Sequence, residues 1–302
     1  MYRFNLTNGL AVHFNNRRER YSMKEFQDYI KTLTDLSVPI RGGQKEVYFA
    51  KHPAYGPVAL KLSFQLDDPR VQREIEISRD YHFEAVPKIF EVCHMMYNGC
   101  ETLCIIEEKI EGQTLDRFIQ SGQRFTLSEA VNLLEQGLAF ITELEGKQIV
   151  HRDIKPQNII MTAEKKVYFL DFGIARMLDA SSLTATGALL GPHSPGYAAP
   201  EQFNNLKASI DSRADIFSLG VVTYECLSGH NPFREGATSH LDILQKTETI
   251  TPVVFQIPGD SEQQLMGLLS AMMGKYPSRR PRNATQALNW LNAAKATFGK
   301  EV

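Results

Sequence analysis

The chain has 302 residues, more than a single hydrophobic core usually serves, so we expect two lobes or domains. The formal net charge of −2 gives no global attraction to nucleic acid or to an anionic membrane, and we expect neither as a partner. No run approaches the roughly 18 apolar residues of a membrane span, and the first twenty residues contain no apolar signal-peptide core. The four cysteines lack paired spacing, which favours free thiols and a cytoplasmic location.

Residues 1–36 are expected to form an N-terminal extension that carries an amphipathic helix. Ser22-Met23-Lys24-Glu25 has the form of a capping box. Apolar side chains follow at helical spacing, at Phe26, Tyr29, Ile30 and Leu33. Such a helix needs an apolar surface to cover. We expect it to pack on its own small lobe, and a regulatory or partner-binding helix is the alternative.

The next segment, residues 37–109, has the pattern of a small sheet with one main helix. Alternating apolar and polar side chains, with turns rich in Pro and Gly between them, predict four strands, over 46–51, 58–64, 86–93 and 102–109. A helix is expected over 70–81, after Pro69. This lobe is therefore predicted to be mainly an antiparallel sheet.

One lysine in the second predicted strand has an unusual position. Aliphatic side chains alternate there with Ala59, Lys61 and Ser63, because successive residues of a strand face opposite sides. Lys61 therefore lies beside Ala59, on the face opposite the aliphatic side chains. A lone lysine in a strand is usually a solvated edge residue. Motifs further along the chain favour a binding role instead.

Residues 110–302 have mainly helical patterns. Thr126-Leu127-Ser128-Glu129 is a second capping box, and it opens an amphipathic helix. The segment from Asp215 to Val222 is apolar nearly all round, which is typical of a buried central helix. Two more helices are expected near 262–273 and 284–296. The sequence therefore predicts an α+β chain, with a small sheet lobe followed by a larger, mainly helical lobe.

Two short motifs bring together the groups that phosphoryl transfer needs. They are His151-Arg152-Asp153-Ile154-Lys155-Pro156-Gln157-Asn158 and Asp171-Phe172-Gly173. An Asp can orient and deprotonate a hydroxyl, a Lys can neutralise charge on the transferred group, and Asn and Asp oxygens suit magnesium. Over roughly residues 38–295, the chain resembles eukaryotic-type serine/threonine protein kinases, in the style of the bacterial eukaryotic-like members.

The resemblance implies a bilobal protein-kinase-like fold and an ATP-dependent enzyme that phosphorylates Ser or Thr of protein substrates, with Mg²⁺ or alternatively Mn²⁺. It assigns catalytic roles to Asp153 and Lys155 and metal-ligand roles to Asn158 and Asp171. Lys155 matches the Ser/Thr-specific pattern rather than the tyrosine-specific one. The oligomeric state stays open, and a dimer that phosphorylates itself in trans is one possibility.

The resemblance also implies which residues hold the nucleotide phosphates. Lys61 takes the role of the phosphate-binding lysine, with Ala59 beside it in the same site. Glu74 is its expected carboxylate partner, and Glu76 is the alternative. The phosphate-covering loop has glycines at Gly42 and Gly43, whereas two positions that are glycine in the family are Ile40 and Lys45 in this chain.

For adenine, the resemblance implies backbone contacts from Glu108 through its carbonyl and from Ile110 through its N–H and carbonyl. Glu107 then falls at the gatekeeper position, where a hydrophobic residue is more usual. A buried carboxylate there must find a partner or be protonated. An alignment shifted by one residue is the alternative.

Supporting residues follow from the same resemblance. Phe172 and Gly173 belong to the expected metal-binding turn, and Ser194 is expected to contact the catalytic Asp. Glu201, with its partner Arg280, is expected to close the activation segment. Asp215 is expected to brace the catalytic loop. Arg152 suggests control by phosphorylation, because a guanidinium can clamp a phosphate. Candidate phosphorylation sites are Ser181, Ser182, Thr184 and Thr186, and a flexible polar loop with incidental hydroxyls is the alternative.

Two rival functions are weighed against the kinase. A pseudokinase that acts as a nucleotide-binding or scaffold module is favoured by the incomplete glycine loop and by Glu107. The intact set of Lys61, Asp153, Asn158 and Asp171 opposes it. A small-molecule phosphotransferase is disfavoured because Ser194–Glu201 resembles the segment that receives a peptide substrate.

Overall fold

The structure is a computed structural model, and it describes residues 24–42, 45–66, 68–172, 175–177, 194–204 and 210–299. Contacts divide the chain into two units, Met1–Ile110 and Glu111–Val302, and each is described by itself. Among the described residues, the first unit has six strands and two helices, and the second has five short strands and seven helices. The predicted α+β architecture, with a sheet-rich part followed by a helical part, is confirmed.

The first unit is built on one six-stranded sheet. Its strands are β1 (Lys24–Glu25), β2 (Ile40–Gly42), β3 (Lys45–His52), β4 (Gly56–Ser63), β5 (Ile89–Tyr97) and β6 (Cys100–Glu108). Its helices are α1 (Phe26–Ile30) and α2 (Pro69–Asp80). The strand order is β1-β5-β6-β4-β3-β2. The four predicted strands and the helix are confirmed, although β5 lies further along the chain than the predicted 86–93.

The sheet departs from the predicted antiparallel arrangement at one edge. Lys24 and Glu25, which we expected inside a helix, pair in parallel with β5. Helix α1 begins only at Phe26 and ends at Ile30. The prediction of a longer helix was wrong because pairing with the open backbone groups of β5 competes with helix formation there. Ser22 of the predicted capping box lies outside the described residues.

The segment from Lys24 onward packs on the sheet of the first unit. Phe26 and Leu33 are buried in the core on one face of the sheet, so the expectation that this segment packs on its own lobe is confirmed. That core consists of Phe26, Leu33, Tyr48, Ala50, Val58, Leu60, Leu62, Met95, Tyr97, Cys104 and Ile106. At roughly 25 cal/mol per Å², these buried aromatic and aliphatic side chains supply much of the unit's stability.

The opposite face of the sheet is covered by α2. The core there consists of Val71, Ile75, Ile89, Leu103 and Ile105. Because side chains alternate along β4, Leu60 and Leu62 face the α1 side, and Ala59 and Lys61 face the α2 side. The strand pattern thus delivers Lys61 to the face on which α2 presents its own side chains.

The second unit is mainly helical. Its helices are α3 (Leu115–Gln120), α4 (Leu127–Gly146), α5 (Pro200–Phe203), α6 (Ser212–Ser228), α7 (His240–Thr249), α8 (Gln264–Met272) and α9 (Ala284–Lys295). Its strands are β7 (Gln113–Thr114), β8 (Ile149–Val150), β9 (Ile159–Met161), β10 (Val167–Phe169) and β11 (Arg176–Met177). They form a three-stranded sheet, β10-β9-β7, and the pair β11-β8. No helix within the described ranges combines the length and apolar character needed to cross a membrane.

Two long helices give the second unit its centre. Helix α4 starts at the predicted capping box, in which the Thr126 hydroxyl accepts from the Glu129 N–H and the Glu129 carboxylate accepts from the Thr126 N–H. Helix α6 is buried at every residue from Ala214 to Leu227, as the sequence predicted. It begins earlier than expected, at Ser212, because the Asp211 carboxylate caps it by accepting from the Arg213 N–H.

Candidate active site

The loop between β8 and β9 is fixed by a carboxylate from α6. Asp215 is fully buried, and its two oxygens accept the backbone N–H groups of His151 and Arg152, each at 2.8 Å. Arg152 has a left-handed backbone, φ +69°, which is uncommon for a residue other than glycine. Burial raises the pKa of Asp215 to about 7, while the two N–H donors oppose that rise. Helix α6 therefore determines the path of the loop that carries Asp153.

The Asp153 carboxylate gathers three other side chains around it. One of its oxygens accepts from Lys155 Nζ at 2.7 Å and from Asn158 Nδ2 at 2.9 Å. The other accepts from Ser194 Oγ at 2.7 Å, and Lys155 Nζ also lies 3.2 Å from that hydroxyl. Ser194 is 41 residues away in the sequence. Because every partner donates to it, the arrangement holds Asp153 in one orientation.

Asn158 and the residue before Asp171 lie against each other. Asn158 ends a 3₁₀ turn directly before β9, and the Leu170 N–H after β10 donates to the Asn158 carbonyl at 2.8 Å. Asp171 has a left-handed backbone, φ +62°. The amide nitrogen of Asn158 is engaged by Asp153, which leaves its amide oxygen for a cation. The amide oxygen of Asn158 and the carboxylate of Asp171 are oxygens of the kind that Mg²⁺ binds, and Mg²⁺ completes its shell with phosphate and water.

Aromatic rings pack around Phe172, the residue that follows Asp171. The rings of Phe172 and His151 are both buried, with centroids 4.8 Å apart, and Phe140 packs on both. Burial lowers the pKa of His151, so its ring is neutral at neutral pH and its Nδ1 can accept from the Asp153 N–H at 3.3 Å. Gly173 lies outside the described residues.

In the first unit, Lys61 meets two carboxylates. Its Nζ lies 3.0 Å from Glu74 Oε1 on α2 and 2.9 Å from Glu107 Oε1 on β6. Glu74 is buried, whereas Glu76, the alternative partner, is exposed and pairs with Arg73 at 3.7 Å. The structure thus brings Lys61 together with Glu74 and not with Glu76.

The β2–β3 hairpin carries the segment that aligns with the phosphate-covering loop. Ile40 pairs with Val47, and Gly42 pairs with Lys45 across the turn. Gly43 lies outside the described residues. Lys45 is therefore directly opposite Gly42, on the other strand of the hairpin.

The remaining residues expected at the nucleotide site lie along β4 and at the end of β6. Ala59 is buried and is the register partner of Glu107. Glu108 is the last residue of β6, and its backbone N–H donates to the Lys88 carbonyl at 2.8 Å. Ile110 is the last residue of the first unit.

Comparison with known proteins identifies the family to which these residues belong. The model of the protein kinase domain matches residues 41–291, which include both motifs. The chain belongs to the protein kinase family.

Among curated proteins, this kinase-family chain is similar to the serine/threonine-protein kinase pkn2 of Myxococcus xanthus, 31% identical over 84% of this chain and 31% of that protein. It is 29% identical to the probable serine/threonine-protein kinase PknB of Corynebacterium glutamicum, over 81% of this chain and 39% of that protein. It is 30% identical to the serine/threonine-protein kinase PknA of Mycobacterium tuberculosis, over 74% of this chain and 51% of that protein. The chain therefore spans about a third to a half of the length of these relatives.

A buried ion pair joins Glu201, which was expected to close the activation segment, to a loop 79 residues further along the chain. The Arg280 guanidinium donates to both oxygens of Glu201, at 2.6 and 2.9 Å. Arg280 also donates to the carbonyls of Gly274, Arg213 and Lys275. The candidate phosphorylation sites Ser181, Ser182, Thr184 and Thr186 lie outside the described residues.

Sequence reasoning missed three contacts in this member of the protein kinase family. They are the bond from Gln202 Nε2 to the Arg152 carbonyl at 2.9 Å, and the ion pairs of Glu107 with Lys61 and of Lys45 with Glu74. The strand pattern did carry a signal for Glu107, because alternation along β6 places it on the same face as Ile105, the partner of Lys61. No local pattern marks Gln202, since its partner lies 50 residues away.

Proposed function

We propose that the chain is an ATP-dependent serine/threonine protein kinase, which transfers the γ-phosphoryl group of ATP to Ser or Thr hydroxyls of protein substrates. The observation that carries the proposal is the Asp153 carboxylate, held by Lys155, Asn158 and Ser194. Membership of the protein kinase family and the serine/threonine kinase names of the three relatives support it.

Asp153 acts on the acceptor hydroxyl mainly by orienting it. A fixed carboxylate aligns the hydroxyl and accepts its proton as the bond to phosphorus forms. The hydrogen bonds from Lys155, Asn158 and Ser194 supply that fixed orientation.

Lys155 places its ammonium group beside the same carboxylate, at 2.7 Å. From there it neutralises charge that develops on the transferred group. Asn158 and Asp171 are the residues that would hold Mg²⁺, which supplies neutralisation of the nucleotide phosphates when bound. Within the first unit taken by itself, Lys61, with Glu74 as its partner, is the residue proposed to bind phosphate.

A protein substrate is the proposed acceptor because of the segment that begins at Ser194. The Ser194 carbonyl accepts the N–H groups of Tyr197 and Ala198, and the Ser218 hydroxyl donates to the Tyr197 carbonyl. This segment is therefore anchored both to Asp153 and to α6, which makes it a firm edge for an extended peptide. Control by phosphorylation, with Arg152 as the phosphate clamp, is part of the same proposal.

Phosphoryl transfer tests the proposal directly. The full chain is incubated with γ-labelled ATP, Mg²⁺ or Mn²⁺, and protein acceptors that contain Ser and Thr or only Tyr. Labelling of Ser and Thr is expected, with a loss of about 10²-fold or more in Asp153→Asn. The matched control is Asp28→Asn, whose side chain is 70% exposed and which should retain activity.

Three other outcomes would contradict the proposal. Nucleotide binding without transfer, for every metal and acceptor, would identify a binding or scaffold module. Transfer only to small molecules would identify a small-molecule phosphotransferase. Equal transfer by the wild type and by Asp153→Asn would remove Asp153 from the reaction.

A further inference from the structure

Four charged side chains form a continuous chain of contacts in the first unit. Lys45 Nζ lies 3.5 Å from Glu74 Oε2, Glu74 Oε1 lies 3.0 Å from Lys61 Nζ, and Lys61 Nζ lies 2.9 Å from Glu107 Oε1. Both carboxylates are nearly buried, with side chains 4% and 8% exposed. The two ammonium groups and the two carboxylates cancel in charge.

The sheet presents three of the four side chains on one face. Glu107 is the register partner of Ala59, which lies two residues from Lys61 on β4. Lys45 is the register partner of Ser63, two residues from Lys61 in the other direction. Because register partners share a face of the sheet, these side chains point to the same side, and α2 adds Glu74 from above that face.

Glu107 reduces the net positive charge that Lys61 and its partners present to a phosphate. A lysine with a single carboxylate partner forms a neutral pair, whereas Lys61 with Glu74 and Glu107 carries a net charge of −1. That charge opposes an arriving phosphate, because nearly buried carboxylates are weakly screened. Lys45 restores neutrality, and its side chain, 29% exposed, is more accessible than that of Lys61, 16% exposed.

We propose that Lys45 is a nucleotide-phosphate-binding residue of this chain, made necessary because Glu107 takes up part of the positive charge of Lys61. The inference rests on the proposed function, since it concerns the nucleotide that the kinase uses. Lys45 stands next to the hairpin turn, where the family places a glycine, so its side chain supplies phosphate affinity that the incomplete glycine loop lacks.

Equilibrium binding tests this without any need for phosphoryl transfer. Calorimetric titration of the full chain with Mg-ATP and with adenosine gives the ratio of the two affinities, which isolates the phosphate contribution. One unit charge about 5 Å from a phosphate changes this ratio by about tenfold at an effective dielectric constant of about 50, between that of the protein and that of water. We expect Lys45→Met to lower the ratio by about that factor and Glu107→Gln to raise it. The double variant should return close to the wild-type ratio.

Matched controls come from the same strands. Lys51→Met on β3 and Glu101→Gln on β6 alter exposed side chains, and both should leave the ratio unchanged. An unchanged ratio in Lys45→Met, or a lowered ratio in Glu107→Gln, would overturn the inference. If Lys45→Met does not fold, its affinities for ATP and for adenosine fall together. The ratio measured for Glu107→Gln then tests the inference independently.

The outcome is separable from that of the proposed function. If ATP binds with the expected shifts but no phosphoryl group is transferred, the inference stands and the kinase proposal fails. If transfer occurs and the ratio does not move, the inference fails alone. If the wild type binds neither ATP nor adenosine, both are overturned.

Discussion

Arg280 and Glu201 form a two-bond ion pair whose side chains are 0% and 3% exposed. The guanidinium also lies over the Phe217 ring of α6, 4.8 Å from its centroid. A buried pair contributes little net stability compared with an apolar replacement, but the loss of one partner leaves the other charge buried and unpaired. The pair is therefore a point where a single substitution has a large effect.

Arg280→Met is expected to lower the free energy of unfolding by about 3–5 kcal/mol, because Glu201 is left buried without its cation. Urea unfolding followed by the fluorescence of Trp290, the single tryptophan of the chain and a residue of the second unit, measures this change. Arg79→Met is the control, since its pair with Asp80 is exposed and exposed pairs contribute at most about 1 kcal/mol. A loss below 1 kcal/mol in Arg280→Met would contradict the expectation, whereas adding Glu201→Leu should recover part of the loss.

Ser194→Ala should slow phosphoryl transfer, because Asp153 loses the hydroxyl that donates to one of its oxygens. Hydrogen bonds to charged groups contribute about 1.5–3 kcal/mol, so a decrease in kcat of about 10- to 100-fold is expected. Ser194→Thr keeps the hydroxyl and should retain most of the activity. Ser261→Ala changes an exposed serine of the same unit and serves as the control. Equal rates for the Ala and Thr variants would show that the hydroxyl has no part in the reaction.

Asp215 predicts a pH dependence of stability with a definite sign. Burial raises its pKa in the folded chain to about 7, above the ordinary value of about 3.9 expected on unfolding. Between these values, the folded chain keeps a proton that the unfolded chain has released. The stabilising contribution is therefore fully present below about pH 4 and is lost as the pH rises through about 7.

The free energy of unfolding is measured at about pH 5, inside the window in which the contribution is being lost, and at about pH 7.5, above it. The wild type should lose more stability over that interval than Asp215→Asn, in which the titrating carboxyl is absent. Glu143→Gln, at an exposed position of α4, should follow the wild type. Identical pH slopes for the wild type and Asp215→Asn would show that Asp215 does not titrate there.

Gly112 is expected to accept a side chain only at a cost in stability. An added Cβ would lie 2.6 Å from Ile160 Cγ2 and 2.6 Å from the Met161 carbonyl oxygen, so the backbone would have to shift. We expect Gly112→Ala to lower the free energy of unfolding by about 1–3 kcal/mol. Gly267→Ala is its counterpart, because nothing lies within 4 Å of the added atom and alanine favours helix α8 by up to about 1 kcal/mol. Thermal melting of the two variants should shift in opposite directions, and a common direction would contradict the prediction.

The long elements of the second unit could be predicted because their signals are local. The capping box at Thr126 and Glu129 lies within four residues, and the apolar character of α6 is visible in consecutive residues. The loop proposed to be catalytic could be predicted for the same reason, because Asp153, Lys155 and Asn158 are close in sequence. Local patterns of this kind need no knowledge of how distant segments meet.

Contacts between distant segments could not be predicted in the same way. Lys24 and Glu25 have a helical pattern, and only the open edge of β5 in the folded sheet pairs them as a strand. The contact of Glu107 with Lys61 depends on the register of β4 with β6, which a single sequence does not specify. Tertiary pairing overrides local preference at these positions.

The apolar core on the sheet face opposite Lys61 includes residues that lie outside the segment matched by the protein kinase family. The protein kinase match begins at residue 41, yet Phe26 and Leu33 cover one face of the sheet, and β1 occupies its edge. A fragment cut at residue 41 would keep every residue assigned to phosphoryl transfer while exposing an apolar surface and the unpaired backbone of β5. Such surfaces promote association between chains. The evolutionary boundary of the domain and the physical boundary of the folding unit are therefore different places in this polypeptide.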